Sequence, residues 1–202
     1  SKDRKKAYIQ QLEKKHEAGV QGTDRQRSRQ LYSLVMNPLS CDQINLSAPY
    51  RVENGPFIHA YHFYTDYGVA YSISFIKDDL FISNETVQFI IANLNNRKSP
   101  RDTKLRDTIM AIIEEFFRAN ESTLLYICET GDGKQAMRKR LFDYWLSSYD
   151  YKRGFSILSS SIMDGDGIWN FASIIVRNDN PHLKEIAAEF METVNLLSSN
   201  SK

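Results

Sequence analysis

Cysteine is scarce in this chain. Cys41 and Cys128 are its only two, and one pair at that separation makes neither a disulfide framework nor a metal-binding spacing. Thiols in no framework suit a reducing compartment, so a cytoplasmic protein is expected. Long apolar runs are missing too. "FII" and "SIIV" fall far short of the roughly 18 residues that a membrane span requires. The basic start is not followed by the apolar stretch of a signal peptide, and no membrane contact is expected. Internal repeats and low-complexity segments are absent. The four histidines, His16, His59, His62 and His182, are scattered. His59 and His62 lie three apart in a strand-like region, which sends them to opposite faces and prevents joint chelation. No metal and no cofactor is expected.

Much of the familiar catalytic vocabulary is also missing. Glu114 and Glu115 are adjacent on a helix and diverge, so they make a poor carboxylate pair. Cys128 ends a strand where a nucleophile could sit, with His62 as a conceivable base, but no flanking signature supports the pair and a buried free thiol is the commoner outcome. "MDGDGIWN" alternates Asp164 and Asp166 as a calcium loop does, yet "IWNFASII" supplies none of the further oxygen ligands. A hairpin turn explains both glycines.

What is present is an ordinary globular balance, 42% apolar, 25% charged and 12% aromatic, in a length that can bury a sizeable core. The formal net charge of +1 conceals a split. Residues 1–35 carry nine Lys/Arg against four Asp/Glu, a net of +5, and the remainder nets −4. "SKDRKKAYIQQLEKKHEAG" can form a helix but has only Ala7, Ile9 and Leu12 to hold it down, and a second short helix is predicted over 24–35. The expected organisation is a basic helical arm, 1–35, on a single α+β domain, 36–202.

Within that domain the period changes to two from Tyr50. Val69, Tyr71, Ile73 and Phe75 alternate with small residues, Tyr61 and Phe63 continue the face beyond "TDYG", and a hairpin follows. "DDLFI" adds a short strand. Ser83 then caps a predicted helix whose apolar residues Val87, Ile90, Ile91 and Leu94 fall at i, i+3, i+4 and i+7. Asp102 caps the longest helix, striped by Leu105, Ile109, Ile112, Ile113 and Phe116. "STLLYICE" reads as a central strand covered on both faces. After a helix bearing Met137, Leu141, Tyr144 and Trp145 comes a second hairpin, "FSILSSSIM" and "IWNFASIIV". A last helix has Pro181 at N1 and runs through Leu197. The expected fold class is therefore α+β, with mixed α/β as the alternative. One mainly antiparallel sheet is built from two hairpins and a central strand, in the order β-β-(β)-α-α-β-α-β-β-α.

The stretch that most resembles chemistry is "ETGDGKQAMRKR", residues 129–140, between that central strand and a helix. Backbone N–H groups at such a turn can meet an anion, with Gly131, Gly133, Lys134 and Arg138 as its contacts. The P-loop pattern fails, since Cys128 stands at its first glycine and Gln135 at its hydroxyl. The dinucleotide fingerprint fails as well, with Ala136 at the third glycine and no acidic residue at the proper distance. An acetyltransferase-type pyrophosphate loop, close to Q/R-x-x-G-x-G/A, would want a leading Gln or Arg that "ICETGDG" lacks. A plain turn, with Asp132 as a cap, accounts for both glycines. In the arm, Lys2, Arg4, Lys5, Lys6, Lys14, Lys15, Arg25, Arg27 and Arg29 are candidates to contact phosphates or an acidic partner.

Two stretches, "YHFYTDYGVAYSISF" and "LLYICETGDGKQAMRKRLFDYW", resemble a family of small uncharacterised bacterial proteins, a domain of unknown function, over about residues 40–197. The resemblance implies a bacterial cytoplasmic protein and brings no activity or catalytic residues. With no convergent acid–base set beside the charge split, the expected function is a non-enzymatic binding or interaction module of a bacterial defence or regulatory system, its arm contacting nucleic acid or a protein. The alternatives are a phosphate-, nucleotide- or acyl-CoA-binding enzyme using the Gly131–Lys134 turn, with Glu129 or Tyr126 as proton carrier, and a self-associating structural protein whose hairpin edges pair between copies.

Overall fold

A computed structural model of the chain describes residues 36–78, 85–128, 142, 144, 154–163 and 169–199. The basic arm, the "DDLFI" strand beyond Asp78, the 129–140 turn and the Asp164–Asp166 loop lie outside the described residues. The elements in chain order are α1 (Cys41–Ile44), β1 (Glu53–Asn54), β2 (Ala60–Tyr64), β3 (Ala70–Lys77), β4 (Thr86–Asn93), α2 (Thr103–Ala119), β5 (Thr123–Cys128), β6 (Phe155–Met163), β7 (Trp169–Arg177) and α3 (Leu183–Ser199). Phe142 and Tyr144 are helical as well.

The strands form one sheet in the order β1-β2-β3-β4-β5-β7-β6. Every neighbouring pair is antiparallel except β4 and β5, which run parallel and are joined through α2. The sheet is thus mixed and the fold α+β. One expectation is overturned: residues 86–93 are a strand and not the helix expected after Ser83. The helical reading of Val87, Ile90, Ile91 and Leu94 leaves Phe89 on the wrong side. In the strand, Val87 and Phe89 are 1% and 2% exposed on one face while Leu94 is 58% exposed. β-Branched Thr86, Val87, Ile90 and Ile91 suit a pleated surface, and β4 gains a partner on each side, β3 and β5.

The alternation of Val69, Tyr71, Ile73 and Phe75 faces α2, whose buried stripe of Leu105, Ile109, Ile112, Ile113 and Phe116 meets it. Asp102 caps α2, its carboxylate accepting from Lys104 N–H and Leu105 N–H at 3.0 and 3.2 Å. On the opposite face α3 buries Ile186, Phe190 and Val194 on Leu125, Ala172, Ile174 and Val176. Consecutive Leu124 and Leu125, each 1% exposed, belong to different faces, so β5 is covered on both. α3 starts two residues later than Pro181 implies, because Asn180 turns the chain first and accepts from the N–H groups of both His182 and Leu183.

Candidate functional site

The geometry turns on where β4 and β5 part. Their ladder runs from Thr86–Thr123 to Phe89–Tyr126 and stops there. Both strands continue: β4 stays paired with β3 as far as Asn93, and β5 with β7 as far as Cys128. Ile90–Asn93 and Ile127–Cys128 therefore face one another with no ladder between them. Alternate residues of each segment turn N–H and C=O groups into that opening, where an extended ligand can satisfy them. The opening lies at the carboxyl ends of the sheet's one parallel pair among the described residues, the position at which open α/β sheets bind ligands.

Its floor is aromatic. Phe142 is 2% exposed and stacks on Tyr126 with ring centroids 4.1 Å apart, while Phe89 lies 6.3 Å from each of them. The last paired rung of the ladder thus also anchors the helical Phe142. Gly131, Gly133, Lys134 and Arg138 lie outside the described residues, but the segment carrying them leaves from Cys128 and ends at this aromatic cluster.

The loop from β4 to α2 reaches the same end of the sheet and carries Arg97, Lys98 and Arg101, all exposed and none ion-paired among the described residues. Its backbone is held in place: Asn93 Nδ2 donates to the Arg97 carbonyl at 2.8 Å, and Asn95 Nδ2 donates to the Gly68 carbonyl at 2.8 Å. Gly68 has φ 68°, and a Cβ there would run into the Arg97 guanidinium. Sequence reasoning missed this loop as part of the site because it assigned residues 84–94 to a helix. The signal that would have found it is Phe89, the large residue which helical spacing cannot bury. The α2 N-terminus itself is not open to an anion, since the Asp102 carboxylate occupies it. Beside it, Asp66 Oδ2 accepts from Lys104 Nζ at 2.6 Å, and Tyr50 Oη donates to Asp102 Oδ2 at 2.9 Å.

The remaining candidates are not brought together. His62 sits on β2 and Cys128 on β5, three strands apart, or roughly 14 Å at ordinary strand spacing, so they form no nucleophile–base pair. His62 Nε2 instead lies 3.6 Å from Glu53 Oε2 on the neighbouring strand. His59 is buried just before β2 with φ 57°. Glu114 and Glu115 diverge, and Glu115 turns inward: its side chain is 3% exposed and paired with Arg118 at 2.5 Å. Among the described residues no group of three His, Cys, Asp or Glu could hold a metal ion, and no described helix is long and apolar enough to cross a membrane.

The nine basic residues expected in an arm lie outside the described residues, whereas residues 36–40 that follow them are described. Asn37 N–H donates to Asn120 Oδ1 (2.6 Å) and Asn37 Nδ2 to the Ala119 carbonyl (2.7 Å). Leu39 N–H donates to Tyr61 Oη (2.8 Å) and Ser40 N–H to Glu115 Oε1 (3.0 Å). Burial would raise the Glu115 pKa, but the Arg118 guanidinium and the Ser40 N–H outweigh it and hold the carboxyl below its ordinary value. Burial pushes the Tyr61 phenol up to about 12, so it stays a neutral acceptor for Leu39.

Residues 101–192, from the start of α2 into α3, match a family described as of unknown function (DUF6169). No curated protein matches the chain. Among solved structures, the N-terminal domain of ribosomal-protein-alanine acetyltransferase from Clostridium acetobutylicum ATCC 824 aligns with 17% identity and a TM-score of 0.35, over 65% of this chain and 92% of that one.

Proposed function

We propose that the chain binds an extended, amide-bearing ligand with a phosphate head group, of the acyl-coenzyme A type, in the opening between β4 and β5. One observation carries this reading: the β4–β5 ladder ends at Phe89–Tyr126 while both strands run on. Amides along the ligand would pair with the backbone groups of Ile90–Asn93 and Ile127–Cys128, as an added strand does. The phosphates would meet Lys134 and Arg138 and the N–H groups around Gly131 and Gly133, with Arg97, Lys98 and Arg101 across the opening. If transfer chemistry follows binding, Tyr126 and Glu129 are the proton carriers that chain order puts beside the ligand. The test is thermal unfolding with coenzyme A, ADP, pantetheine and pyrophosphate. At 100 times Kd, coenzyme A should stabilise the fold by about 2.7 kcal/mol, read as a rise of roughly 5–10 °C. Pantetheine and ADP should each give part of it, and Lys134→Ala with Arg138→Ala should reduce the ADP part. No shift with any of the four at millimolar concentration sinks the reading.

The charge split supports a second reading, in which the arm contacts nucleic acid or an acidic protein and the 36–202 domain carries it as a tether. The tight seating of Asn37–Ser40 on α2 favours it, because a fixed root gives a basic segment a defined point of departure. Nucleic-acid binding that depends on residues 1–35 and weakens steeply with salt is the expected result. Binding that persists without the arm overturns it.

A further inference from the structure

The two edges of the sheet are protected unequally. β1 is two residues long, both exposed, one of them Glu53, and the chain turns at Gly55 and Pro56 immediately after it. Short, charged and proline-flanked edges discourage pairing with another chain. β6, the other edge, has nine residues, Phe155–Met163, with no charge and no proline. Among the described residues no strand lies outside it. Every second residue turns its N–H and C=O away from β7, and Ile157 is 38% exposed. Among the described residues none of the usual edge defences is in place along its length.

We propose that β6 pairs antiparallel with β6 of a second copy of this chain, joining two sheets into one across a two-fold axis. The segment is its own match in length. Alignment about Ser159 gives each of its nine residues a partner and sets Ile157 against the small Ser161 of the other copy. α3 lies over β6 as well as β7, with Leu158 of β6 packed against its core, so the edge is two layers deep. Its buried stripe leaves Met191 on one flank and Leu196 on the other, 44% and 59% exposed, so either flank of the helix carries an exposed apolar side chain. A strand about 30 Å long with a helix beside it offers roughly 600 Å² per copy, about 1,200 Å² in all, the lower bound of a stable interface. A peptide that covered only the strand edge would leave the helix flank bare, which favours a second copy.

The proposal is tested by sedimentation of the full chain. The wild type should be dimeric at concentrations on the order of 10 µM, matching an interface of this size. Ser159→Lys sets two ammonium groups opposite each other at the axis. It should give a monomer with unchanged far-UV circular dichroism, because Ser159 is exposed and loses only its 2.8 Å bond to Ser173 Oγ. In a C41S/C128S background, Ser159→Cys should cross-link the dimer under mild oxidant, since facing Cα atoms of antiparallel strands lie about 4.5–5.5 Å apart. A wild type that stays monomeric at about 100 µM, or a dimer that survives Ser159→Lys, overturns it. Should Ser159→Lys fail to fold, absence of a cross-link in the Ser159→Cys variant overturns it equally.

Discussion

The two faces of the sheet solve the same burial problem by different means. Under α2 the core runs from β2 to β7 and takes in the segment from Met36 to Val52. Its rings pack in series: Phe63 on Tyr71, Phe75 on both Phe89 and Phe116, and Phe116 on Phe117. Its margin is stitched by buried polar contacts such as Tyr50 N–H to Thr108 Oγ1 at 3.1 Å and Leu39 N–H to Tyr61 Oη. Under α3 the described buried set is smaller, Leu125, Ala172, Ile174, Val176, Ile186, Phe190 and Val194, and it is closed by one helix. Of the described residues far more are buried under α2 than under α3, and hydrogen bonds between residues far apart in the chain tie the α2 face to segments along most of the domain. The α2 face should therefore unfold only with the whole domain, while α3 can leave the sheet by itself.

The largest effect that could break this contrast comes from truncating one ring on each face. Phe116 and Phe190 are 0% and 1% exposed, so either change to alanine should cost about 3–5 kcal/mol. The losses should differ in kind. Phe116→Ala should lower the Tm of the entire domain by about 10 °C and leave unfolding cooperative. Phe190→Ala should speed amide exchange in 183–199 while the α2 amides keep their protection. Equal loss of protection on both faces after Phe190→Ala would erase the distinction.

A smaller effect sharpens it at the margin. Glu115→Gln keeps an acceptor for Ser40 N–H but removes the charge from it and from the pairing with Arg118, and hydrogen bonds to charged groups are worth about 1.5–3 kcal/mol. The folded pKa of Glu115 is depressed, so its contribution is complete above the unfolded carboxyl value, about 4.3. That contribution is lost as pH falls through the folded value. Wild type should accordingly lose more stability than Glu115→Gln on acidification below about pH 4.3, measured by urea unfolding at a series of pH values. Parallel curves would remove Glu115 from the account.

Much of this architecture is legible in the residues, and the illegible part has a physical cause. Leu105, Ile109, Ile112, Ile113 and Phe116 form a stripe that only a helix can bury, and Asp102 before it is a capping carboxylate. The 86–94 segment carries a similar spacing yet is a strand, because tertiary pairing with β3 and β5 outweighs a local pattern compatible with either period. That one substitution of strand for helix hides the parallel pair, and with it the opening where β4 and β5 part. A turn at Gly131–Lys134 is expected from sequence alone and lies outside the described residues. That Arg97, Lys98 and Arg101 border the same end of the sheet follows only once β4 is known to end at Asn93.

The smallest effect tests whether that basic loop is positioned or merely exposed. Gly68 closes the β2–β3 turn, its N–H donating to the Thr65 carbonyl at 2.9 Å, and its positive φ is one that a side chain makes unfavourable. Alanine at this position should cost about 1–2 kcal/mol from backbone conformation alone. Its Cβ would also displace the Arg97 guanidinium, because the two would occupy one space. If Arg97 is set by this packing to face a phosphate, Gly68→Ala should weaken coenzyme A binding by more than Arg97→Lys does. Lysine keeps the charge near its place, while the alanine variant moves the whole group. Calorimetric titration of the two variants decides the matter: equal affinities would mean that the loop contributes charge and no geometry.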